Sequence, residues 1–342
     1  MADAVIESNV RESLREKTII LTGASGYVGT AVLSALQQVS CRVFALARQT
    51  PHPRDLGPQP VTWYQCDFMD DAAWREPLLR AQPDIVIHLA AHEHRHGSQH
   101  APRADLALNA ASVLHLLETC IELQCNPRIV FASSANLVGL TDRVPVDETF
   151  VDRPLTLFGI HKLTGERYLQ HYARQHGIQS VPLRFTNIYG QMDSQEIETV
   201  NRVLLNRMMH LAMTSGVVTL FGNRRCKRDF VHVSDVVRAV CVAAVHPSLV
   251  DGTPYIIGSE EEFSLEKVFH IIKEDLRSLF DLDMEIRLND QVPLAPVEWR
   301  EFVADCGRMR RATGWKPEVR LEEGVRQTLM WLGHETGRSP SL

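Results

Sequence analysis

The 342-residue chain has no surplus of positive charge: 36 Lys and Arg stand against 42 Asp and Glu, a formal charge of -6 with His neutral. A duplex-sized phosphate-binding surface is therefore not expected, and neither is a nucleic-acid partner. The cysteines, at 41, 66, 120, 125, 226, 241 and 306, are odd in number and show no C-x-x-C spacing. That argues against a disulfide framework and against structural zinc, and it fits reduced thiols and a cytoplasmic location. Cys120 and Cys125, near a predicted helix end, read as packing residues. No run approaches the ~18 apolar residues of a membrane helix, so no membrane is expected as a partner. Residues 1–17 carry Asp3, Glu7, Glu12 and Glu16 where a signal peptide would be apolar, and we expect a short helical or frayed lead-in there. Internal repeats are also missing.

What is there is core-forming material, 44% apolar with 23% charged residues, at a length that suggests two lobes at about 150 residues each. The run Thr18 to Thr22 (T-I-I-L-T) breaks into G-A-S-G-Y-V-G and then a helical pattern, a strand-turn-helix signature. Further strands are expected at Cys41 to Ala47, Val61 to Gln65, Asp84 to Leu89, Arg128 to Ala132 and Gln179 to Phe185. Helices are expected at Asp71 to Ala81, Ala104 to Leu123 and Leu155 to His176. Strands alternating with helices call for right-handed crossovers and a parallel sheet covered on both faces. The fold class expected is α/β, a doubly wound parallel sheet over residues 18–190 with a smaller mixed C-terminal substrate lobe. The segment of about 226–258 is expected to return to the main sheet, 191–225 and 259–335 to form the lobe, and 336–342 a tail. Helices are expected there at Glu196 to Met213, Ser234 to Val245, Leu265 to Leu279 and Leu321 to Leu332, with strands at Val217 to Leu220 and Tyr255 to Ile257. Pro51 to Pro60 reads as a surface loop.

Gly23, Gly26 and Gly29 sit where a strand turns, where backbone must approach a pyrophosphate, and where a helix packs on the sheet. Ser25, Tyr27 and Val28 complete the turn, whose N–H groups and helix N-terminus receive phosphate charge. In the first βα unit this pattern predicts a Rossmann-type dinucleotide site. The second strand ends in L-A-R-Q, with Arg48 and no acid to grip a ribose 2′-hydroxyl. NADP(H) is therefore favoured, with NAD(H) as the alternative.

These residues resemble the extended short-chain dehydrogenase/reductase family, whose members epimerise, dehydrate or reduce nucleotide sugars. The resemblance runs from Thr18 to Trp331. It implies that Asp67 and Phe68 contact adenine, and that Leu89, Ala90 and Ala91, after His88, lie under the nicotinamide ribose. Asn109 falls at the family's helix asparagine. Asn187, in P-L-R-F-T-N-I-Y-G, is implied to face the substrate. Arg228, in R-D-F-V-H-V-S-D, is implied to hold the diphosphate of a nucleotide sugar, with Arg224 or Arg300 reinforcing it. T-G-W-K-P, Thr313 to Pro317, matches the family's C-terminal punctuation. A homodimer through the two long helices is also implied.

The family's Ser/Thr, Tyr and Lys correspond to Ser134, Phe158 and Lys162, and a phenyl ring neither donates nor accepts a proton. Three explanations stand. His161, on the same helix, or His92, Glu93 or His94 after the fourth strand, replaces the phenol; the chain binds nucleotide and sugar without hydride transfer; or Phe158 is an engineered change that traps a complex. The run His92 to His100 invites a metal reading, but no partner ligand is evident and no metal is expected. Ala135 and Asn136 stand where dehydratases of the family carry Asp-Glu, which disfavours dehydration. The activity expected is NADPH-dependent reduction of a nucleotide-linked 4-ketosugar, with an NAD-dependent epimerase or a catalytically impaired binding protein as alternatives. In it Ser134 polarises the carbonyl, Lys162 contacts the ribose, and His92 lies on the substrate side.

Overall fold

Aliphatic runs with turn residues at both ends form β1 (Thr18–Thr22), β2 (Arg42–Ala47), β3 (Val61–Gln65), β4 (Ile85–His88), β5 (Arg128–Ser134) and β6 (Ser180–Phe185). Shorter strands follow: β7 (Asn187–Tyr189), β8 (Val217–Phe221), β9 (Lys227–Arg228), β10 (Phe230–His232), β11 (Tyr255–Ile257), β12 (Phe263–Ser264) and β13 (Glu285–Asn289). The computed structural model describes residues 5–48, 61–70, 72–91, 101–192 and 195–339. The Pro51 to Pro60 loop and the histidine run 92–100 lie outside those residues.

Seven strands make one parallel sheet in the order β11-β6-β5-β4-β1-β2-β3. The order reverses between β1 and β4, which places a crevice at their carboxyl ends. The α/β class read from the sequence is the class observed. Both faces are covered, so β1 alternates between two cores: Ile19 and Leu21 pack in one, Ile20 in the other. On the first face lie α1 (Ser8–Leu14), α2 (Tyr27–Leu36) and α9 (Val233–Val245); on the second lie α3 (Arg75–Ala81), α4 (Pro102–Leu106), α5 (Ser112–Glu122) and α6 (Leu157–His176). A separate apolar cluster joins α8 (Leu204–Ser215), α10 (Leu265–Phe280) and α12 (Leu321–Glu335) to β8 and β10, with Met209, Val218, Phe269, Ile272 and Leu329 inside it. Two short helices, α7 (Ile197–Val200) and α11 (Gly307–Thr313), complete the chain.

Three expectations need correction. The helix expected over Glu196 to Met213 is broken, because the Asn206 amide donates to the Val200 carbonyl at 3.1 Å and ends α7 before α8 begins. The helix expected over Ala104 to Leu123 contains a π-helical turn, Ala107–Ala111, between α4 and α5. That turn sets the Asn109 carbonyl against Gly165, where a Cβ would lie 2.9 Å from it. The joined stretch Pro102–Glu122 is also long and apolar enough to cross a membrane by length and composition, contrary to the sequence reading, although half of that window is buried inside the fold. β13 (E-I-R-L-N) was not foreseen; its polar composition conceals a strand that pairs in parallel with β8.

Candidate active site

The turn after β1 is built for close backbone approach. Gly23 has φ +66, and a Cβ on it would lie 2.8 Å from the Ala90 nitrogen. A Cβ on Gly29 would lie 2.0 Å from the Gly23 oxygen. Gly26 N–H closes the turn on the Gly23 carbonyl at 2.8 Å, and Gly26 is the N-cap of α2, whose first turn no side chain caps. A helix start without a side-chain cap, as here, suits an anion beside its first turn. Ser25 is half-buried in the turn.

β4 ends against this turn through a chain of side chains. The Ala90 N–H donates to Thr22 Oγ1 at 3.0 Å, and Thr22 Oγ1 lies 2.8 Å from His88 Nδ1. His88 Nε2 lies 3.1 Å from Ser112 Oγ, which donates to the Leu108 carbonyl at 2.9 Å. The sequence places the donors in order, so Thr22 donates to Nδ1 and Nε2–H donates to Ser112. His88 is fully buried, and burial pushes it down to about 3, with the Lys162 charge assisting. Sequence reasoning gave His88 no such role, although a lone His closing an apolar strand was the available signal. Leu89 and Ala91 continue the chain, half-buried, on either side of Ala90.

Around the rim, Arg48 and Asp67 are exposed, and Asp67 Oδ1 accepts the Met69 N–H at 3.0 Å. Phe68 is turned into the core, its ring 4.7 Å from Trp74 and 5.8 Å from His88, so only its backbone is available to an adenine. Asn109 is fully buried and, among the described residues, neither its amide nitrogen nor its oxygen has a hydrogen-bond partner. A glycine cradle that a Cβ would fill and an orphaned amide beyond it fit a bound dinucleotide.

On the other side, α6 begins at its N-cap Thr156, which accepts the Gly159 N–H. Phe158 is half-buried near the start of the helix, and the Lys162 ammonium lies 5.9 Å from its ring centroid and 4.6 Å from that of Phe131. Lys162 Nζ donates to the Ala132 carbonyl at 2.6 Å. Burial pushes this lysine down to about 7, against the pull of the Asp105 and Glu166 carboxylates. Ser134 Oγ accepts the Asn136 N–H at 3.1 Å, which leaves its proton for another acceptor. His161 Nδ1 lies 2.6 Å from Oδ2 of Asp105, on α4; Asp105 is fully buried and His161 9% exposed. Asp105 drew no attention in the sequence, because its partner is 56 residues away. Beneath this group, Arg184 bridges Asp152 and Glu166, with Glu166 also accepting from Ser133 at 2.5 Å.

The substrate-side residues are more tied down than the resemblance implied. The Asn187 amide donates to the Asp229 carbonyl at 2.8 Å, joining β7 to β10. Arg228 donates to the Glu298 carbonyl at 2.6 Å, and the Arg300 guanidinium lies 5.6 Å from the Phe302 ring centroid. Arg224 is engaged by Asp290 and Glu266, so it is a poor reinforcement for a diphosphate. Gly190 links the halves: Tyr27 Oη and the Asn206 amide both donate to its carbonyl, at 2.7 Å each, and Gln195 Nε2 donates to the Tyr27 carbonyl at 2.8 Å. His92 lies outside the described residues. Among the described residues no three His, Cys, Asp or Glu side chains gather as metal ligands.

Known proteins are similar to this chain in sequence and fold. A UDP-glucose 4-epimerase from Azospirillum brasilense is 27% identical, over 92% of this chain and 91% of that protein. A dTDP-4-dehydro-6-deoxyglucose reductase from Escherichia coli is 24% identical, over 91% of this chain and 96% of that protein. The crystal structure of a UDP-glucose 4-epimerase from Thermotoga maritima with UDP-glucose has a TM-score of 0.81 at 26% identity, covering 93% of this chain and 99% of that one. The sequence pattern of the NAD dependent epimerase/dehydratase family matches residues 19–258. With that match, the glycine cradle and the doubly wound sheet, the chain belongs to the NAD dependent epimerase/dehydratase family and is an enzyme of nucleotide-sugar chemistry.

Proposed function

We propose that the chain reduces a nucleotide-linked 4-ketosugar with NADPH, and that His161, held by Asp105, supplies the proton that Phe158 cannot. The observation that carries this reading is the His161–Asp105 pair at 2.6 Å, on the same helix as Phe158 and Lys162, whose Nζ lies 5.9 Å from the phenyl ring centroid. When bound, the nicotinamide supplies the hydride. Gly23, Gly26 and Gly29 hold its diphosphate, Arg48 meets a 2′-phosphate, and Lys162 and Asn109 serve the ribose and nicotinamide side. Ser134 presents its O–H to the carbonyl oxygen. The buried Asp105 carboxylate fixes Nδ1 of His161, which directs Nε2 to proton transfer, and imidazole exchanges protons readily near neutral pH. Arg228 and Arg300 face the diphosphate and Asn187 the sugar. A uridine or thymidine diphosphate sugar is the substrate class, as the named relatives act on one or the other.

Reduction is favoured over epimerisation by Arg48 and the missing acid at the end of β2. The epimerase reading rests on the UDP-glucose 4-epimerases among the relatives. The exposed apolar side chains Leu106, Ile121 and Ile160, on α4, α5 and α6, suit a second copy of the chain in a homodimer.

The deciding experiment strips the purified chain of small molecules, titrates it with NADPH and NADH, and supplies a dTDP- or UDP-linked 4-ketosugar. Net oxidation of added NADPH supports the reductase. Cofactor retained through purification, with UDP-glucose and UDP-galactose interconverting and no net oxidation, selects the epimerase. Tight binding of both ligands without turnover selects a binding protein.

A further inference from the structure

A second reactive feature lies at the far end of α5, away from the cluster just described. The helix closes in a Schellman motif: the Cys125 N–H donates to the Cys120 carbonyl at 2.9 Å, the Gln124 N–H to the Ile121 carbonyl at 3.1 Å, and Gln124 takes the left-handed conformation at φ +51. This closure brings the side chains of its first and last residues together. Both are cysteines, and both side chains belong to the same apolar cluster, Cys120 inside it and Cys125 packed against it. Cys120 is fully buried, whereas Cys125 is half-buried and reached by solvent.

We propose that Cys125 and Cys120 form a thiol-oxidation site, in which the Cys125 thiolate attacks a hydroperoxide and Cys120 resolves the product to a disulfide. The asymmetry of the pair assigns the roles. Cys125 is the thiol that solvent reaches and Cys120 the one sealed beneath it; the neighbouring Cys120 thiol, together with a backbone N–H, lowers Cys125, while its own neighbour and burial push Cys120 up. The helix end, with its partial negative charge, opposes a thiolate, and burial opposes it too; the adjacent Cys120 thiol and the backbone N–H outweigh both. Cys226 is the internal contrast. It is also half-buried, but its thiol is raised by burial and has no thiol partner.

The chemistry balances with hydrogen peroxide as the oxidant. The Cys125 sulfur takes one peroxide oxygen as the O–O bond breaks, giving a sulfenic acid and one water. The Cys120 sulfur then displaces that oxygen: the S–S bond forms, the S–O bond breaks, and the Cys120 proton leaves with the hydroxyl as a second water. Two electrons pass from the thiol pair to one peroxide.

The test treats the reduced full-length chain with hydrogen peroxide, alkylates it and digests it with trypsin. Residues 104–128 fall in one peptide that contains both cysteines and no internal Lys or Arg. The expected result is that this peptide loses two hydrogens and its capacity for alkylation before Cys226 reacts, and that a thiol reductant reverses the change. In Cys120→Ala, Cys125 should alkylate about tenfold more slowly and peroxide should leave a sulfenic acid trappable by dimedone. The wild-type peptide mass needs no variant to fold. Retention of both hydrogens after Cys226 has been oxidised, or equal alkylation of Cys125 in wild type and Cys120→Ala, would overturn the proposal. Neither outcome depends on which sugar the enzyme uses.

Discussion

The turn between β1 and α2 and the opening of α6 lie on either side of one crevice, yet they are constructed from different parts of the chain. The first works through backbone: Gly23 sits 2.8 Å, by its missing Cβ, from a neighbouring nitrogen, and α2 starts with uncapped N–H groups. The second works through side chains: a lysine lowered by burial, a serine oriented by an amide, and an imidazole held by a carboxylate brought from α4. Backbone devices tolerate no change of residue at the contact but any change around it. Side-chain devices can be rebuilt when one member is lost, provided another group reaches the same charge. The phenyl ring at 158 is a departure on the side where replacement is chemically available.

The comparison breaks most sharply at His161. In His161→Ala the turnover should fall by roughly a hundredfold or more, the usual worth of a positioned acid. In Phe158→Tyr the same change should cost only a few-fold, because the phenol then carries the proton. Equal losses in both backgrounds would show that His161 merely packs. Next in size is Glu166→Gln, which leaves Arg184 buried and only partly neutralised; denaturation in urea should record a loss of about 3 kcal/mol. Gly29→Ala tests the backbone half, where a methyl 2.0 Å from the Gly23 oxygen forces the turn apart. A stability loss of about 1–3 kcal/mol is expected, with NADPH titration showing no saturation.

The joint between the halves, His88, should appear in the pH dependence of stability. His88 at about 3 and His232 at about 4 are held below the usual 6.5, so the unfolded chain takes up protons first as pH falls. The contribution of these two rings is therefore level above pH 6.5 and drops below it, by roughly 1.4 kcal/mol per pH unit for each ring, until the folded values are reached. Urea midpoints unchanged between pH 7 and 4.5 would contradict the buried, neutral state of both rings. The smallest effect concerns Arg48→Ala, which should weaken NADPH about tenfold and leave NADH unaltered. Equal weakening of both would remove the argument for a 2′-phosphate.

The glycine turn was legible because its requirements are local: three glycines between an aliphatic strand and a helical pattern specify a tight strand-to-helix turn. The parallel sheet was legible for the same reason, since β1 to β6 each announce themselves as β-branched or aliphatic runs. The His161–Asp105 pair was half legible. His161 was visible by its place beside Lys162, but Asp105 becomes its partner only through the packing of α4 on α6. The π turn at Ala107–Ala111 was hidden because it goes with a tertiary contact to Gly165, and the break before Leu204 because a side-chain bond, Asn206 to the Val200 carbonyl, replaces the helical pattern. β13 was hidden because a strand at the edge of a two-stranded sheet can be largely polar.

The carbonyl of Gly190 receives a hydroxyl from α2 and an amide from the head of α8. The helix after the glycine turn and the C-terminal elements are thereby geared through a single peptide: a tilt of the one stretches a bond to the other. Release of the two ligands should then follow an order, with the dinucleotide retained while the sugar-bearing side is closed.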